Sequence, residues 1–283
     1  MDDKINDVKK RIKRKLPNLT NSQKTIANYI VENPQKFALC SIRQLENELK
    51  ISKSSIVRLA QTLGYGGFYE LKREFLEGIR NSLGPLRRYK TFLSTPHEKL
   101  NFIRLIAEET IYNIQKTLQL IDKAQYKKAL DMIKNANHVY TIGVGISSCL
   151  AEMATYLFTR VSINSSFMAY GALKFTEQII NISHKDLIFA FSFPPYSKET
   201  IEAARYAKER KIKIISITDK STSDIVQYSD AFIQVFVESI TISNSIMSVL
   251  MLLYSMIAQL GDELKTKTLK TIEAIEHVRK EHT

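Results

Sequence analysis

The sequence holds two cysteines in 283 residues, Cys40 and Cys149. That is too few for a disulfide framework, and a reducing cytoplasm is the expected setting. Five histidines are scattered and show no ligand spacing with one another or with the cysteines, so no metal and no cofactor is expected. No apolar run follows the first charges of Met1-Asp2-Asp3-Lys4, and no signal peptide is expected. Internal repeats and low-complexity tracts are missing. From Ser239 to Gly261 there is no charge, over a length that could span a bilayer. Asn244, Ser245, Ser248, Ser255 and Gln259 interrupt that window, and a short strand pattern runs directly into it. The expectation is a helix buried in a core or a dimer interface, with no membrane span.

What is present divides unevenly. Apolar residues make up 44%, enough for a packed core, and the length suits two domains or one large one. Residues 1–90 contain 19 Lys and Arg against 9 Asp and Glu; residues 91–283 contain 22 against 20. Nearly all of the net +12 charge therefore sits in the first third. Such asymmetry points to a polyanion-binding module joined to a near-neutral domain.

Turn formers at Asn81-Ser82-Leu83-Gly84-Pro85 and Ser94-Thr95-Pro96 mark the breaks. The resulting division is 1–80, short helices; 81–121, a linker and connecting helix; 122–265, a second domain; and 266–283, a helical tail. Residues 98–135 read as one or two helices. Five strand patterns follow, at His138–Ile142, Ser162–Met168, Asp186–Phe191, Ile212–Ile217 and Ala231–Val237. Helix patterns at Ser148–Arg160, Leu173–Ile180, Lys198–Arg210 and Ser243–Leu260 alternate with them. Alternation of this kind builds right-handed βαβ units and a parallel sheet covered on both faces. Ligands of such sheets bind at the carboxyl ends of the strands, at the switch point, which directs attention to the loops after strands one and three.

The stretch Ser41–Gly64 has the pattern of a helix-turn-helix. Ser41 can cap the first helix, with Leu45 and Leu49 on one face, and Ile51 fills the turn. Ser52 can cap the second helix, whose exposed first turn is Lys53-Ser54-Ser55. Ile56, Val57, Ala60 and Leu63 are expected to form the buried side, and Gly64 to stop the helix. Recognition helices read bases near their N-terminus, so the DNA-binding candidates are Ser41, Ser52, Lys53, Ser54, Ser55 and Arg58. Two residues fit the pattern poorly. Lys50 stands in the turn where glycine is easiest, and Glu46 where a small residue usually meets the partner helix. With those two departures, Leu19–Phe75 resembles the N-terminal domain of the RpiR family of bacterial transcription regulators. The resemblance rests on Leu19-Thr20-Asn21-Ser22-Gln23-Lys24, Asn33-Pro34, Ser41-Ile42, Ile51-Ser52, Val57-Arg58 and, most distinctively, Leu63-Gly64-Tyr65-Gly66-Gly67-Phe68-Tyr69-Glu70-Leu71-Lys72.

The first strand pattern ends in Thr141-Ile142-Gly143-Val144-Gly145-Ile146-Ser147-Ser148-Cys149. A Gly-x-Gly turn into a helix lets backbone N–H groups approach an anion. A dinucleotide site would need a third small residue and an acid after strand two; Ser148 stands in the third place and Ser162–Ser166 offers no carboxylate. The Walker sequence is absent, and a nucleophile elbow fails because Gly145-Ile146-Ser147-Ser148-Cys149 ends in cysteine. The loop after strand three, Ser192-Phe193-Pro194-Pro195-Tyr196-Ser197-Lys198-Glu199-Thr200, carries two serines around a Pro-Pro turn. If strands one and three are neighbours, Ser147, Ser192 and Ser197 converge on a pocket suited to a phosphate monoester.

Residues 122–260 are similar to the sugar isomerase (SIS) domain, which follows the RpiR-type domain in that order. The similarity rests on Gly143-x-Gly145-x-Ser147, Ser192, Ser197, Ala203–Arg210 and Ile214–Asp219. It implies an α/β SIS domain with a five-stranded parallel sheet flanked by helices, behind an all-α helix-turn-helix domain. It also implies phosphosugar-binding roles for Gly145, Ser147, Ser148, Ser192 and Ser197. Pro194-Pro195 replaces the Ser-Gly of enzymatic members, which removes one phosphate-binding hydroxyl. Isomerisation needs a proton-transferring base. Glu177 and His184 are the nearest choices, and neither has a recognisable partner.

The sequence is therefore identified as a regulator without catalytic residues, the alternative being a phosphosugar isomerase with a basic appendage. The expected partners are a double-stranded operator with an inverted repeat, a sugar phosphate effector and further copies of the chain, as homodimer or homotetramer.

Overall fold

The computed structural model describes residues 3–72, 75, 89–90, 92–94 and 102–281. The break at Asn81–Pro85, most of Ser94-Thr95-Pro96 and the start of the helical stretch at 98 lie outside the described residues. The chain divides into two compact units, one of residues 1–99 with 240–242 and one of residues 100–239 with 243–283.

The first unit is helical. Its elements are α1 (Asp3–Lys15), a 3-10 turn at Leu16–Asn18, α2 (Asn21–Glu32), α3 (Pro34–Leu39), α4 (Ile42–Leu49) and α5 (Lys53–Thr62). Local chemistry starts most of them. Thr20 and Gln23 form a reciprocal capping box on α2, and Ser41 and Gln44 do so on α4. Pro34 opens α3, where its missing N–H costs nothing. Lys50 ends α4 in the left-handed region at φ 56°. The buried stripe of α5 is Ile56, Leu59, Ala60 and Leu63. Val57 was expected there in place of Leu59, but it lies half-buried, about 100° around the helix from Ile56. Phe37 closes the core, edge-on to Phe68 at 5.8 Å and to Phe75 at 5.2 Å.

The second unit opens with α6 (Phe102–Leu120) and α7 (Lys123–Asn135), so the helical stretch is two helices parted at Ile121-Asp122. Then come β1 (Val139–Ile142), α8 (Ile146–Arg160), β2 (Ser165–Phe167), α9 (Phe175–Ile179), β3 (Leu187–Ser192), α10 (Lys198–Glu209), β4 (Lys213–Thr218) and β5 (Ala231–Gln234). The helices α11 (Met247–Glu263) and α12 (Lys265–Glu281) end the chain. All strand pairs are parallel, in the order β2-β1-β3-β4-β5. The central strand β3 is buried throughout and feeds two cores. Leu187, Phe189 and Phe191 face α7, α8 and α11, whereas Ile188 and Ala190 face α9 and α10. This two-residue alternation is what a sheet covered on both sides requires.

Several boundaries differ from the sequence reading, and hydrogen bonds account for three of them. Strand β2 starts at Ser165 rather than Ser162. The amides of Ser162 and Ile163 are spent on the C-terminus of α8, bonding Thr159 O at 3.3 Å and Phe158 O at 3.0 Å. Strand β5 stops at Gln234 rather than Val237, because the Phe236 amide turns to Thr117 Oγ1 at 2.9 Å. Helix α11 begins at Met247 rather than Ser243: Ser245 N bonds Val237 O at 3.0 Å, which holds the approach in a turn. Leu252, Leu253, Met256 and Leu260 of α11 are buried, and among the described residues no helix is long and apolar enough to cross a membrane.

Helix α6 is held to this unit by polar groups. Asn113 and Thr117, one turn apart, are fully buried. Asn113 Nδ2 donates to Glu238 O at 2.7 Å, and the Tyr112 ring packs edge-on to Phe236 at 5.6 Å.

Two outcomes are expected in thermal or denaturant unfolding. Thr117→Val keeps the shape but leaves the Phe236 amide without its acceptor, and destabilises the second unit by about 1–3 kcal/mol. Lys50→Gly removes the left-handed strain of a side chain and stabilises the first unit by about 1 kcal/mol.

Candidate functional site

Two sets of residues carry the functional reading, one in each unit. In the first unit, Ser52 Oγ accepts from Ser55 N at 3.4 Å and lies within 3.0 Å of Ser54 Oγ and 3.1 Å of Ser55 Oγ. Ser41 Oγ accepts from Gln44 N at 3.1 Å. These hydroxyls cap α4 and α5 and fix the angle at which the recognition helix begins. Lys53, Ser54 and Arg58 are exposed, and Ser55 is half-buried. Gly64, at φ 92°, ends α5, and Tyr65 N reaches back to Ala60 O at 3.0 Å in the closing turn.

Glu46 is resolved by this geometry. It does not enter the core: the carboxylate is half-buried, accepts from Lys53 N at 3.3 Å and lies 3.7 Å from Lys53 Nζ. An acid at the N-terminus of α5 complements the helix dipole, which is why a residue larger than alanine is accommodated.

In the second unit, β1 pairs with β2 on one side and β3 on the other, so the switch point lies between β1 and β3. The register sets Ile142 opposite Ala190, and Ser192 opposite Thr218. The loops after β1 and β3 thus leave adjacent strands at the same end of the sheet. Gly143 must be glycine for packing reasons: a Cβ there would stand 2.4 Å from Ser147 O. Gly145 caps α8 at φ 64° with no side-chain acceptor for the first-turn amides.

The expected serines fall into two kinds. Ser148 Oγ donates to Gly145 O at 2.7 Å, and Ser197 Oγ accepts from Thr200 N at 3.2 Å and lies 2.6 Å from Thr200 Oγ1. Both are occupied as caps. Ser147 is 5% exposed and its side chain makes no hydrogen bond among the described residues. Ser192 is 3% exposed and its hydroxyl has no partner.

The same end of the sheet contains residues the sequence reading did not single out. Tyr196, at φ 42°, donates its hydroxyl to Asp219 Oδ1 at 2.8 Å. Burial first, and the Asp219 carboxylate second, push its phenol well above the usual tyrosine range. Gln234 Nε2 donates to Asp219 O at 3.0 Å, and Asn244 Nδ2 donates to Pro194 O at 2.6 Å. The rule that ligands gather at carboxyl ends of strands would have flagged Asp219 and Gln234, which follow or end β4 and β5. Asn244 has no such signal.

Neither acid–base choice lies at this end in a free state. Glu177 accepts from Lys174 N at 2.7 Å as the cap of α9, and His184 is exposed in the loop entering β3 from its amino end. Among the described residues, no group of three His, Cys, Asp or Glu side chains could hold a metal ion.

Comparison with known proteins matches this division. The helix-turn-helix domain of the rpiR family matches residues 6–82, and the SIS domain matches residues 132–260. An uncharacterised HTH-type transcriptional regulator of Caldanaerobacter subterraneus is 28% identical, over 83% of this chain and 81% of its own length. The HTH-type transcriptional regulator HexR of Pseudomonas aeruginosa is 23% identical, over 74% of this chain and 72% of its own. The sugar isomerase domain of an RpiR transcription factor from Sphaerobacter thermophilus aligns with a TM-score of 0.61 at 20% identity, covering 63% of this chain and 99% of that one. The NanR protein of Vibrio vulnificus, complexed with ManNAc-6P, aligns with a TM-score of 0.56 at 20% identity, covering 96% of this chain and 98% of that one. The two structures share the fold. With an rpiR-type helix-turn-helix domain followed by a SIS domain, and with relatives that are transcriptional regulators, the chain belongs to the RpiR family of transcriptional regulators.

Proposed function

We propose that this regulator binds an operator through the exposed first turn of α5 and senses a sugar phosphate at the β1–β3 switch point. The observation that carries the sensing half is the buried Ser192 hydroxyl, which has no partner, with the Ser147 hydroxyl, which also makes no hydrogen bond among the described residues, beside a helix N-terminus that no side chain caps. A buried hydroxyl without a partner costs about 1–3 kcal/mol, which an accepting phosphate oxygen recovers. The dipole of α8 favours an anion there without a cation, while the Ser147 and Ser148 amides bond Val144 O and Gly145 O. Ser148 and Ser197 act through the turns they cap, and Gly145 through its open backbone. The fold likeness to NanR, which is complexed with a sugar phosphate, supports the same ligand class.

The regulator acts without catalysis in this reading. It binds an inverted repeat as a homodimer, or as a pair of homodimers, with two α5 helices about one turn of DNA apart. The effector changes operator affinity by favouring one spacing of the two modules, which requires unequal affinity for the two states.

Melting curves with sugar phosphates and their free sugars test the pocket. A ligand at a hundred times its dissociation constant stabilises the wild type by about 2.7 kcal/mol. Ser192→Ala leaves the unliganded melting temperature unchanged or raised and abolishes that shift; a retained shift moves the pocket elsewhere. Replacing Lys53 and Arg58 by alanine abolishes operator binding in a gel-shift assay and preserves the ligand-induced shift. Undiminished operator binding would remove the recognition role from α5.

A further inference from the structure

The first helix of the chain is more basic than its packing requires. Helix α1 holds seven Lys or Arg and two Asp in thirteen residues. Val8 and Ile12, one turn apart, are each 1% exposed and bury one face in the module's core. The cations do not all do the same thing. Arg11 Nη1 donates to Leu63 O at 3.4 Å, and its guanidinium lies 5.2 Å from the centre of the Tyr65 ring. Lys15 Nζ donates to Thr62 O. Both carbonyls belong to the C-terminal end of α5, where cations are favoured by the helix dipole. Arg11 and Lys15 therefore tie α1 to the recognition helix.

Lys10, Lys13 and Arg14 are left on the opposite, exposed face. A recess of about 300 Å³ along the helix is lined by Asp7, Lys10, Arg11 and Arg14. Among the described residues lining it, the one acid, Asp7, stands 4.0 Å from Lys10 with both side chains exposed, an ion pair too weak to neutralise the patch. An amphipathic basic helix could also serve a membrane surface. Here Val8 and Ile12 are spent inside the module, which leaves the phosphodiester chain as the polyanion that fits.

We propose that α1 is a second DNA contact: Lys10, Lys13 and Arg14 grip the phosphate backbone while α5 reads the bases, at a distance fixed by Arg11 and Lys15. The inference rests on the DNA-binding reading above. Its signature is sequence-independent affinity with a salt slope, because each phosphate contact releases counterions.

The test is fluorescence anisotropy of the full chain on a labelled 30-base-pair duplex of arbitrary sequence, titrated at several salt concentrations. The combined change Lys10→Ala, Lys13→Ala and Arg14→Ala is expected to lower the slope of log K against log salt by about 2–3, and to weaken binding on the order of a hundredfold at 0.1 M salt. The control replaces Lys265, Lys267 and Lys270 of α12 by alanine, removing the same charge from the second unit; its slope and affinity stay at wild-type values. Equal losses in the two variants would assign the effect to net charge and overturn the proposal. So would a wild-type slope in the α1 variant, or a loss seen on anionic phosphatidylserine vesicles and not on duplex. A wild-type chain that binds no duplex at all overturns both this proposal and the DNA-binding reading.

Discussion

Parallel pairing of Val139–Ile142 with Leu187–Ala190 forces the chain to leave two neighbouring strands at one end of the sheet, one loop turning toward α8 and the other toward α10. Everything at the proposed effector site follows from that pairing. It brings Gly143–Ser147 and Ser192–Ser197 to the same end, although about forty-five residues separate them in sequence. It also requires β3 to be apolar on both faces, which the alternation of Leu187, Phe189 and Phe191 with Ile188 and Ala190 satisfies. Ser192 is the first polar side chain after that run, and the interior gives its hydroxyl nothing to bond. A buried polar group left in this state is costly on its own and inexpensive once an acceptor arrives.

The DNA-binding module is organised around helix ends rather than a sheet. Ser41 and Ser52 start the two helices of the motif, Lys50 and Gly64 terminate them in left-handed backbone, and Arg11 and Lys15 close the far end of α5. Glu46 occupies the near end through the Lys53 amide. The recognition helix is thus complemented at both ends, negative at its N-terminus and positive at its C-terminus. The same Glu46 faces Lys53 at 3.7 Å, so the DNA contact proposed for Lys53 requires it to exchange an intramolecular carboxylate for a phosphate.

Local chemistry was the legible part of the sequence. Caps at Ser41 and Ser52 depend on residues three positions apart, and the strained turn at Lys50 depends on one residue. The buried strands β3 and β4 announce themselves by dense Ile and Phe. Features that depend on distant partners were not legible. Thr117 ends β5 from 119 positions away, and Asn244 holds Pro194 from 50 positions away. The Tyr196–Asp219 bond spans 23 positions and crosses from one strand end to the next. The order of the sheet decides these contacts, and single-sequence periodicity carries no record of it. Ser148 and Ser197 show a further limit: a serine at a loop–helix junction has the same sequence signature whether its hydroxyl caps the helix or waits for a ligand.

The account joins a phosphosugar pocket to an operator-binding helix within one chain. The most direct measurement selects duplexes from a randomised pool with the full-length protein. It then follows anisotropy of the selected duplex with and without each sugar phosphate that raises the melting temperature. The account predicts at least a fivefold change in DNA affinity with such a sugar phosphate and none with its free sugar. A sugar phosphate that binds the protein yet leaves DNA affinity unchanged would contradict it.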